Sequence, residues 1–193
     1  MLPYRTKLHE DFTASVTLWQ AKPRNAPAWL RPWLSEQGSL SQKLQAQVAA
    51  FNIEVLYHGW AVLMPEEQCL LQQDNGYAWV RQVFLKNAQQ VLIFAHSITT
   101  KQALYHAFNG LVDLGNQPLG TYLFTEQQIK RTRLQWRCID AYHPLWQMLS
   151  SHIRSLPPSL WARRSCFQRG DAKLWVSEMF LPTLRWANDV DNL

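Results

Sequence analysis

Alternating hydrophobic and polar positions run through much of this chain and predict its strands. Apolar side chains recur at every second residue in several short runs, which is the period of a half-buried β-strand. Such runs predict strands at residues 52–63, 77–85, 91–98, 134–142, 160–165 and 174–181. A polar tetrapeptide joins the second run to the third, and Gly170 and Asp171 separate the last two. Each of these pairs is therefore expected to form an antiparallel hairpin.

Helical spacing and helix-start signals predict short helices between the strands. Apolar residues at positions 40, 44, 48 and 51 recur at helical spacing, so a helix is expected to begin near Leu40. Further helices are predicted after Pro27 with Asn25 as cap, at 103–108 with Thr99 as cap, within 117–124 after a tight turn, and at 143–153.

The order of these elements predicts the fold class. Strands outnumber helices and mostly follow one another, which favours an antiparallel sheet with the helices on one side of it. The chain has neither an internal repeat nor a linker-like segment. We therefore expect a single α+β domain spanning residues 1–193.

Two charged residues interrupt strand faces that are otherwise apolar. Glu178 shares its face with apolar residues two positions away on either side, and so does Arg81 in the second predicted strand. Charged side chains are rarely buried without a partner or a task. Both are therefore candidates for a site that binds a small acid. The alternative is that Glu178 only pairs with a neighbouring arginine, or that Glu178 and Arg81 pair with each other, in a structural role.

Composition narrows the classes of protein. Of 193 residues, 47% are hydrophobic and only 17% are charged, which predicts a packed core. Ten tryptophans fit either that core or an aromatic-lined pocket. The formal net charge of +5 favours anionic partners. The basic stretch at residues 130–137 is interpreted as a solvated face, so no nucleic-acid partner is expected.

Cysteine and histidine usage indicates a cytoplasmic protein without metal. The three cysteines are far apart and residues 1–15 carry no secretory signal, which predicts a reduced, cytoplasmic protein. No apolar run approaches the roughly 20 residues that span a bilayer. The six histidines lack metal-site spacing, and His96 is expected to pack or bond locally. Nucleotide-binding loops are also absent, so neither a dinucleotide nor a nucleoside triphosphate is implied.

Three motifs resemble those of the chorismate lyase family. They are P-L-G-T-Y-L-F-T at residues 118–125, L-W-A-R-R-S at 160–165 and S-E-M-F-L-P at 177–182. Weaker support comes from W-V-R-Q-V at 79–83 and G-S-L-S at 38–41. The likeness covers most of the chain. It implies an antiparallel sheet, helical flaps over a buried ligand pocket, and no cofactor.

The resemblance also implies a reaction and its residues. The family removes pyruvate from chorismate and leaves 4-hydroxybenzoate for ubiquinone biosynthesis. Arg81 matches the family's carboxylate-binding arginine, and Glu178 matches the glutamate at the hydroxyl end of the ligand; both are expected to act in catalysis and substrate binding. Leu119 matches a position whose backbone contacts the ligand. Leu40, the fourth expected substrate-binding residue, falls where a methionine is common.

One segment departs from the family pattern, and one rival function stays open. Residues 95–100 read A-H-S-I-T-T where the family often has A-R-[ST]-V-x-P, a difference that bears on the second carboxylate or the pocket rim. The same fold serves as the effector-sensing domain of some bacterial transcription regulators, so the rival is a module that binds an aromatic acid without turnover. We expect no winged-helix DNA reader in the residues before Gly38, which counts against a regulator. We expect chorismate and 4-hydroxybenzoate to be the partners of this protein. We also expect a monomer without an integral membrane segment.

Overall fold

The alternating runs pair into one antiparallel sheet in the computed structural model, which describes residues 18–73 and 76–187. Within that part of the chain the spatial order is β1-β2-β3-β7-β6-β4, and β5 also pairs with β6. All six predicted strands are present, and the two predicted hairpins are β2–β3 and β6–β7. The strands are β1 (Phe51–Val62), β2 (Tyr77–Asn87), β3 (Gln90–Thr99), β4 (Lys130–Arg131), β5 (Gln135–Asp140), β6 (Ser159–Arg169) and β7 (Ala172–Phe180).

Short helices connect the strands and complete an α+β domain, which confirms the predicted fold class. Two 3₁₀ turns, Asn109–Leu111 and Pro182–Trp186, add to them. The expectation that all of residues 1–193 form one domain stays a prediction, because residues 1–17, 74–75 and 188–193 lie outside the described part. The α-helices of the described part are α1 (Arg31–Leu34), α2 (Leu40–Gln45), α3 (Pro65–Leu71), α4 (Lys101–Ala107), α5 (Leu119–Thr125) and α6 (Pro144–Ser150).

Helix α2 begins where expected but is shorter than its apolar spacing indicated. Ser39 is its N-cap, and the Ser39 hydroxyl accepts a hydrogen bond from the Gln42 N–H at 3.3 Å. The helix ends at Gln45, and Phe51 is the first residue of β1 rather than a last helical turn. The predicted continuation to position 51 was therefore wrong, because the chain leaves the helix to pair with β2.

Two predicted caps were also wrong. Thr99 is the last residue of β3, and Thr100 caps α4 instead by accepting from the Ala103 N–H at 3.0 Å. Asn25 lies in the left-handed region with φ of 64°, so it forms a turn. Helix α1 starts only after Leu30.

Sequence reasoning missed helix α3, although signals for it were present. Pro65 stands at its first position, where its fixed φ is favourable and its missing N–H costs nothing. Two glutamates follow in the first turn, where carboxylates interact favourably with the positive end of the helix dipole. The Glu67 carboxylate also accepts the Met64 N–H at 2.9 Å. No element had been predicted between the strands at 52–63 and 77–85.

The two sheet faces carry different helices. On one face, α1 and α2 pack on β2, β3 and β7, and α4 and α5 pack beside them. The helices expected as flaps over the pocket lie on this face, but the expectation that helices lie on one side of the sheet only was wrong. The opposite face is partly covered by α3 and α6, whose Leu71, Leu145 and Leu149 join separate apolar clusters. No helix in the described part is long and apolar enough to cross a membrane.

A buried polar network holds α3 and α6 to the second face. The Arg164 guanidinium bonds Glu66 at 2.6 Å, and the Trp19 indole N–H donates to the same carboxylate at 2.8 Å. His96 Nε2 lies 2.6 Å from Glu67 Oε1, 29 residues away in the chain, so its partner is not local in sequence. Partnered buried charges of this kind fix the position of an element, because each is costly to leave alone.

We expect His143, in the same network, to make stability depend on pH. Its Nδ1 accepts the Leu145 N–H at 3.2 Å, which caps α6. Burial lowers the pKa of His143 to about 4, although the nearby Glu66 carboxylate opposes that shift. The unfolded chain therefore binds the proton first, so stability is complete above about pH 6.5 and falls as the pH drops towards 4. The difference amounts to roughly 3 kcal/mol.

The variant His143→Asn isolates this effect, because asparagine caps a helix well but does not titrate. Urea unfolding at pH 7.5 and pH 5 should show a smaller loss of stability in the variant than in the unsubstituted protein. Carboxylates that protonate over the same range act in both proteins and cancel in the comparison. An identical pH dependence of the two would contradict the assignment.

Candidate active site

A cavity lies on the sheet face beneath α2 and α5. The four residues assigned from the family resemblance, Leu40, Arg81, Leu119 and Glu178, all line it. Its volume is about 50 Å³, roughly a third of a cavity that admits benzene. An aromatic acid can therefore enter only if the first turns of α2 and α5, which lie above the cavity, shift outward.

The strand register sets the floor of the cavity. One row across β2, β3, β7 and β6 contains Arg81, Ser97, Val176 and Ser165. The next row on the same face contains Val83, Ala95, Glu178 and Arg163. Arg81 and Glu178 are thus two strands and one row apart, which separates their backbones by roughly 12 Å. That spacing leaves room between the two side chains for a small ring with a polar group at each end.

Arg81 presents free hydrogen-bond donors to the cavity. Only 3% of the residue is exposed, and its Nη2 donates to the carbonyls of Gly115 at 2.9 Å and Gln117 at 3.2 Å. Its Nε and Nη1 form no hydrogen bond, and its guanidinium no ion pair, within the residues that the structure describes. Burial lowers the pKa of Arg81 to about 10, so the side chain stays cationic at neutral pH. A carboxylate is the natural ligand for these charged donors.

Glu178 both lines the cavity and pairs with an arginine. Its Oε2 accepts from Arg163 Nε at 2.6 Å, and its side chain is 13% exposed. Arg163 is 1% exposed and also donates to the carbonyls of Trp33 at 3.2 Å and Glu36 at 2.7 Å. The arginine partner considered from the sequence is therefore present, but it is not Arg81. Glu178 Oε1 has no hydrogen-bond donor in the described part of the chain.

Sequence reasoning did not assign a role to Arg163, although the hairpin could have given it one. Counting back from the two-residue turn at Gly170 and Asp171 places residue 163 directly opposite residue 178, which is the observed register. Arg163 is one of the two arginines in the L-W-A-R-R-S motif. The other, Arg164, points to the opposite face and bonds Glu66.

Arg131 is the second charged residue of the cavity that was missed. The basic stretch at 130–137 had been interpreted as solvated, but Arg131 is half-buried and lines the cavity. Its Nε donates to the Ser165 hydroxyl at 2.8 Å and its Nη1 to the Gln37 carbonyl at 3.0 Å. Its guanidinium also lies over the ring of Phe167, 5.3 Å from the centroid. Only strand pairing between β4 and β6, which the sequence did not indicate, brings Arg131 here.

The departure from the family pattern at residues 95–100 does not alter the charge of this cavity. Ala95 and Ser97 line the cavity, whereas His96, where the family often has arginine, points to the opposite face and bonds Glu67. Within the described residues no group of three or more histidines, cysteines or acids could hold a metal ion.

The starts of α2 and α5 touch each other above the cavity. Ser39 and Gly120 both line it, and a Cβ added at Gly120 would lie 2.1 Å from the Ser39 hydroxyl oxygen and 2.9 Å from its Cβ. Only glycine allows this approach, because real Cβ atoms do not come so close. The two first turns therefore close over the cavity only with glycine at position 120.

We expect Gly120→Ala to push the two turns apart, weaken ligand retention at least tenfold and lower stability by about 1–3 kcal/mol. Stopped-flow release of a bound aromatic acid and urea unfolding measure the two effects. The double variant Ser39→Gly with Gly120→Ala removes the obstructing side chain, and glycine costs only a few tenths of a kcal/mol as an N-cap. It should recover most of the loss; no recovery would contradict the assigned contact.

Solved structures resemble this fold at low sequence identity. The C-terminal domain of PhnF matches with a TM-score of 0.53 and 12% identity over 75% of this chain and 89% of that domain. PhnF from Mycobacterium smegmatis matches with a TM-score of 0.51 and 10% identity over 77% of this chain and 66% of that one. At such identity the likeness shows the fold alone.

Sequence comparison is more specific. Proteins named probable chorismate pyruvate-lyase are similar to this chain: that of Nitrosomonas europaea is 36% identical, over 86% of this chain and 94% of the relative. The relative from Aromatoleum aromaticum is 38% identical, over 88% of this chain and 94% of its own length. A family model described as chorismate lyase matches residues 14–190. The chain therefore belongs to the chorismate lyase family.

Proposed function

We propose that this protein eliminates pyruvate from chorismate and leaves 4-hydroxybenzoate, for use in ubiquinone biosynthesis. Its family membership makes it a lyase that acts on chorismate; to that we add the two products and the pathway. The observation that carries the proposal is the placement of Arg81 and Glu178 on one sheet face, two strands apart, with the cavity between them.

The arrangement fits a ring acid with a hydroxyl group opposite its carboxylate. A free donor of Arg81, Nε–H or Nη1–H, binds the ring carboxylate through a charge-assisted hydrogen bond. Glu178 accepts the hydroxyl proton at the other end, and Arg163 holds the Glu178 carboxylate in place. The N–H of Leu119, in the first turn of α5, has no acceptor within its helix and is available to the ligand. Leu40 packs on the ring.

The chemistry asks little of the protein beyond positioning and charge. The bond between the ring and the enolpyruvyl oxygen breaks, with its electron pair passing to that oxygen. The neighbouring ring carbon, which bears the hydroxyl, loses its hydrogen as a proton, and the C–H electron pair completes the aromatic ring. A proton on the methylene carbon of the departing group gives pyruvate. Because the product is aromatic, the reaction is strongly downhill and gains most from orientation and electrostatic stabilisation.

A second candidate is an aromatic-acid-binding module without catalysis. The fold likeness to the C-terminal domain of PhnF favours it, because effector-sensing domains of transcription regulators are expected to share this architecture. It would use Arg81 in the same way. The two functions differ in turnover.

One assay separates the candidates. Purified protein is incubated with chorismate, pyruvate and 4-hydroxybenzoate are quantified, and 4-hydroxybenzoate binding is titrated in parallel. The proposal predicts both products in equal amounts, together with saturable binding. Binding without turnover would replace the enzyme with the module. If the protein shows neither binding nor turnover, both candidate functions are wrong, and Arg81 and Glu178 have only a structural role.

Further expectations complete the proposal. We propose that the protein works in the cytoplasm as a monomer, without a cofactor and without a nucleic-acid partner. The three cysteines at positions 69, 138 and 166 are free thiols in the structure, in keeping with a reducing compartment.

A further inference from the structure

The charges that line the cavity match a ligand with two negative charges. Three arginines and one glutamate line it, which gives a formal net charge of +2. Glu178 neutralises Arg163 through the 2.6 Å contact. Arg81 and Arg131 form no ion pair with any residue that the structure describes. The cavity therefore contains two cationic side chains whose charge the protein itself does not balance.

The two cations lie at opposite sides of the cavity. Arg81 is on β2, whereas Arg131 bonds Ser165 on β6, in the same register row but three strands away. Three strand spacings separate those backbones by roughly 14 Å. Glu178, on β7 beside β6, is therefore on the Arg131 side of the cavity. Different groups hold the two guanidiniums, the Gly115 and Gln117 carbonyls for Arg81 and Ser165 and Gln37 for Arg131, so each is placed to contact a separate negative charge.

Arg131 is held so that part of its guanidinium stays available. Its Nε and Nη1 are used by Ser165 and Gln37, but Nη2 donates to no residue of the described chain. Its guanidinium carbon lies 5.8 Å from the ring centroid of Phe124 on α5 and 5.3 Å from that of Phe167 on β6. A guanidinium fixed between two hydrogen bonds and two rings loses little entropy when it binds an anion.

Chorismate has its second carboxylate where this geometry requires it. The enolpyruvyl group is attached to the ring carbon next to the one that bears the hydroxyl. If Arg81 holds the ring carboxylate and Glu178 the hydroxyl, the enolpyruvyl carboxylate lies at the Glu178 end. We infer that Arg131 binds this enolpyruvyl carboxylate and thereby distinguishes the dianionic substrate from the monoanionic product. The inference rests on the proposed function and assigns a residue that neither the resemblance nor the motifs named.

This role has a consequence for catalysis and for product release. When the bond between ring and oxygen breaks, negative charge grows on the enolpyruvyl oxygen beside the carboxylate that Arg131 holds. A fixed cation at that end stabilises the growing charge. Once pyruvate has formed, 4-hydroxybenzoate keeps its contacts to Arg81 and Glu178 but has no group that reaches Arg131. Arg131 therefore contributes to substrate binding and turnover but not to product affinity.

The test compares Arg131→Gln, Arg131→Lys and the matched control Arg133→Gln. Arg133 is exposed and two residues away, so its substitution changes net charge equally without touching the cavity. Two quantities are measured on each protein: kcat/KM for chorismate and the Kd of 4-hydroxybenzoate. We expect Arg131→Gln to lower kcat/KM by about 30- to 1000-fold, while the Kd of 4-hydroxybenzoate changes less than about threefold. Arg131→Lys should retain an intermediate kcat/KM, and Arg133→Gln should match the unsubstituted protein.

The outcomes that overturn the inference are distinct from failure of the proposed function. An unchanged kcat/KM in Arg131→Gln, or an equal loss of chorismate turnover and 4-hydroxybenzoate binding in both Arg131 variants, would show that Arg131 does not select the second carboxylate. Thermal unfolding shows whether a variant folds. If Arg131→Gln does not fold, the kcat/KM and Kd of Arg131→Lys decide the role of Arg131. If the unsubstituted protein itself neither binds 4-hydroxybenzoate nor consumes chorismate, the proposed function is wrong, and the role of Arg131 falls with it.

Discussion

Glu178→Gln is expected to lower turnover of the folded protein by about ten- to a thousandfold, equivalent to about 1.4–4 kcal/mol of activation barrier. Glutamine keeps the size of the side chain and one oxygen that Arg163 Nε can reach. It loses the charge, and with it the strongest acceptor for the ligand hydroxyl. The carboxylate is therefore expected to contribute more to the stability of the transition state than to the stability of the folded protein.

Stability should also fall in this variant, because Glu178 pairs with an arginine that is 1% exposed. Removing one partner of a buried ion pair costs about 3–5 kcal/mol when the other charge is left unpaired. Here Arg163 keeps its bonds to the Trp33 and Glu36 carbonyls, and glutamine keeps an acceptor. We expect a smaller loss of roughly 1–3 kcal/mol.

Urea unfolding and turnover should be measured on one preparation of Glu178→Gln. Glu54→Gln is the matched control, because Glu54 also pairs with a cation, Lys86 at 2.8 Å, but lies exposed on the edge strand β1. The control should keep full turnover. A large stability loss in Glu178→Gln with normal turnover of the folded fraction would mean that the Glu178–Arg163 pair is only structural.

Arg81→Ala is expected to abolish measurable binding of 4-hydroxybenzoate and turnover of chorismate while the fold is retained. A ligand carboxylate left without its cation in a buried site costs on the order of 2–5 kcal/mol, which weakens binding by about 30- to 4000-fold. The substitution also removes the bonds from Nη2 to Gly115 and Gln117, in the loop that leads to α5. That loop should become more mobile, which adds to the loss of affinity.

Two further variants separate the charge of Arg81 from its shape. Arg81→Lys keeps the cation but not the planar guanidinium with its several fixed donors, so it should bind more weakly than the unsubstituted protein and more tightly than Arg81→Ala. Arg154→Ala removes an exposed arginine and should change nothing. Undiminished turnover in Arg81→Ala, measured by pyruvate release, would contradict the assignment of Arg81 as the carboxylate-binding residue.

The elements that the sequence predicted well are those whose signal is local. Strand alternation located β2, β3, β6 and β7, and the same alternation placed Arg81 and Glu178 on apolar faces. Those four strands build the cavity floor. A turn such as Gly170-Asp171 fixes register by itself, so the hairpin that carries Glu178 was predictable in detail.

The features that were missed depend on contacts distant in sequence. Arg131 looked solvated because it stands in a stretch dense in basic residues; only the pairing of the two-residue strand β4 with β6 brings it to the cavity. The early end of α2 has a similar cause, since pairing of β1 with β2 overrides the helical spacing around Phe51. Helix α3 is the exception among the missed features, because Pro65 and the acidic residues of its first turn are local signals that could have predicted it.

The most direct test of the central claim is a crystal structure of the protein with 4-hydroxybenzoate. We predict the ligand beneath α2 and α5, its carboxylate on the guanidinium of Arg81 at about 2.7–2.9 Å, and its hydroxyl on the Glu178 carboxylate. Arg131 should have no direct contact with the ligand. A ligand bound elsewhere, or in this cavity with its carboxylate on Arg131 and its hydroxyl towards Arg81, would contradict the account.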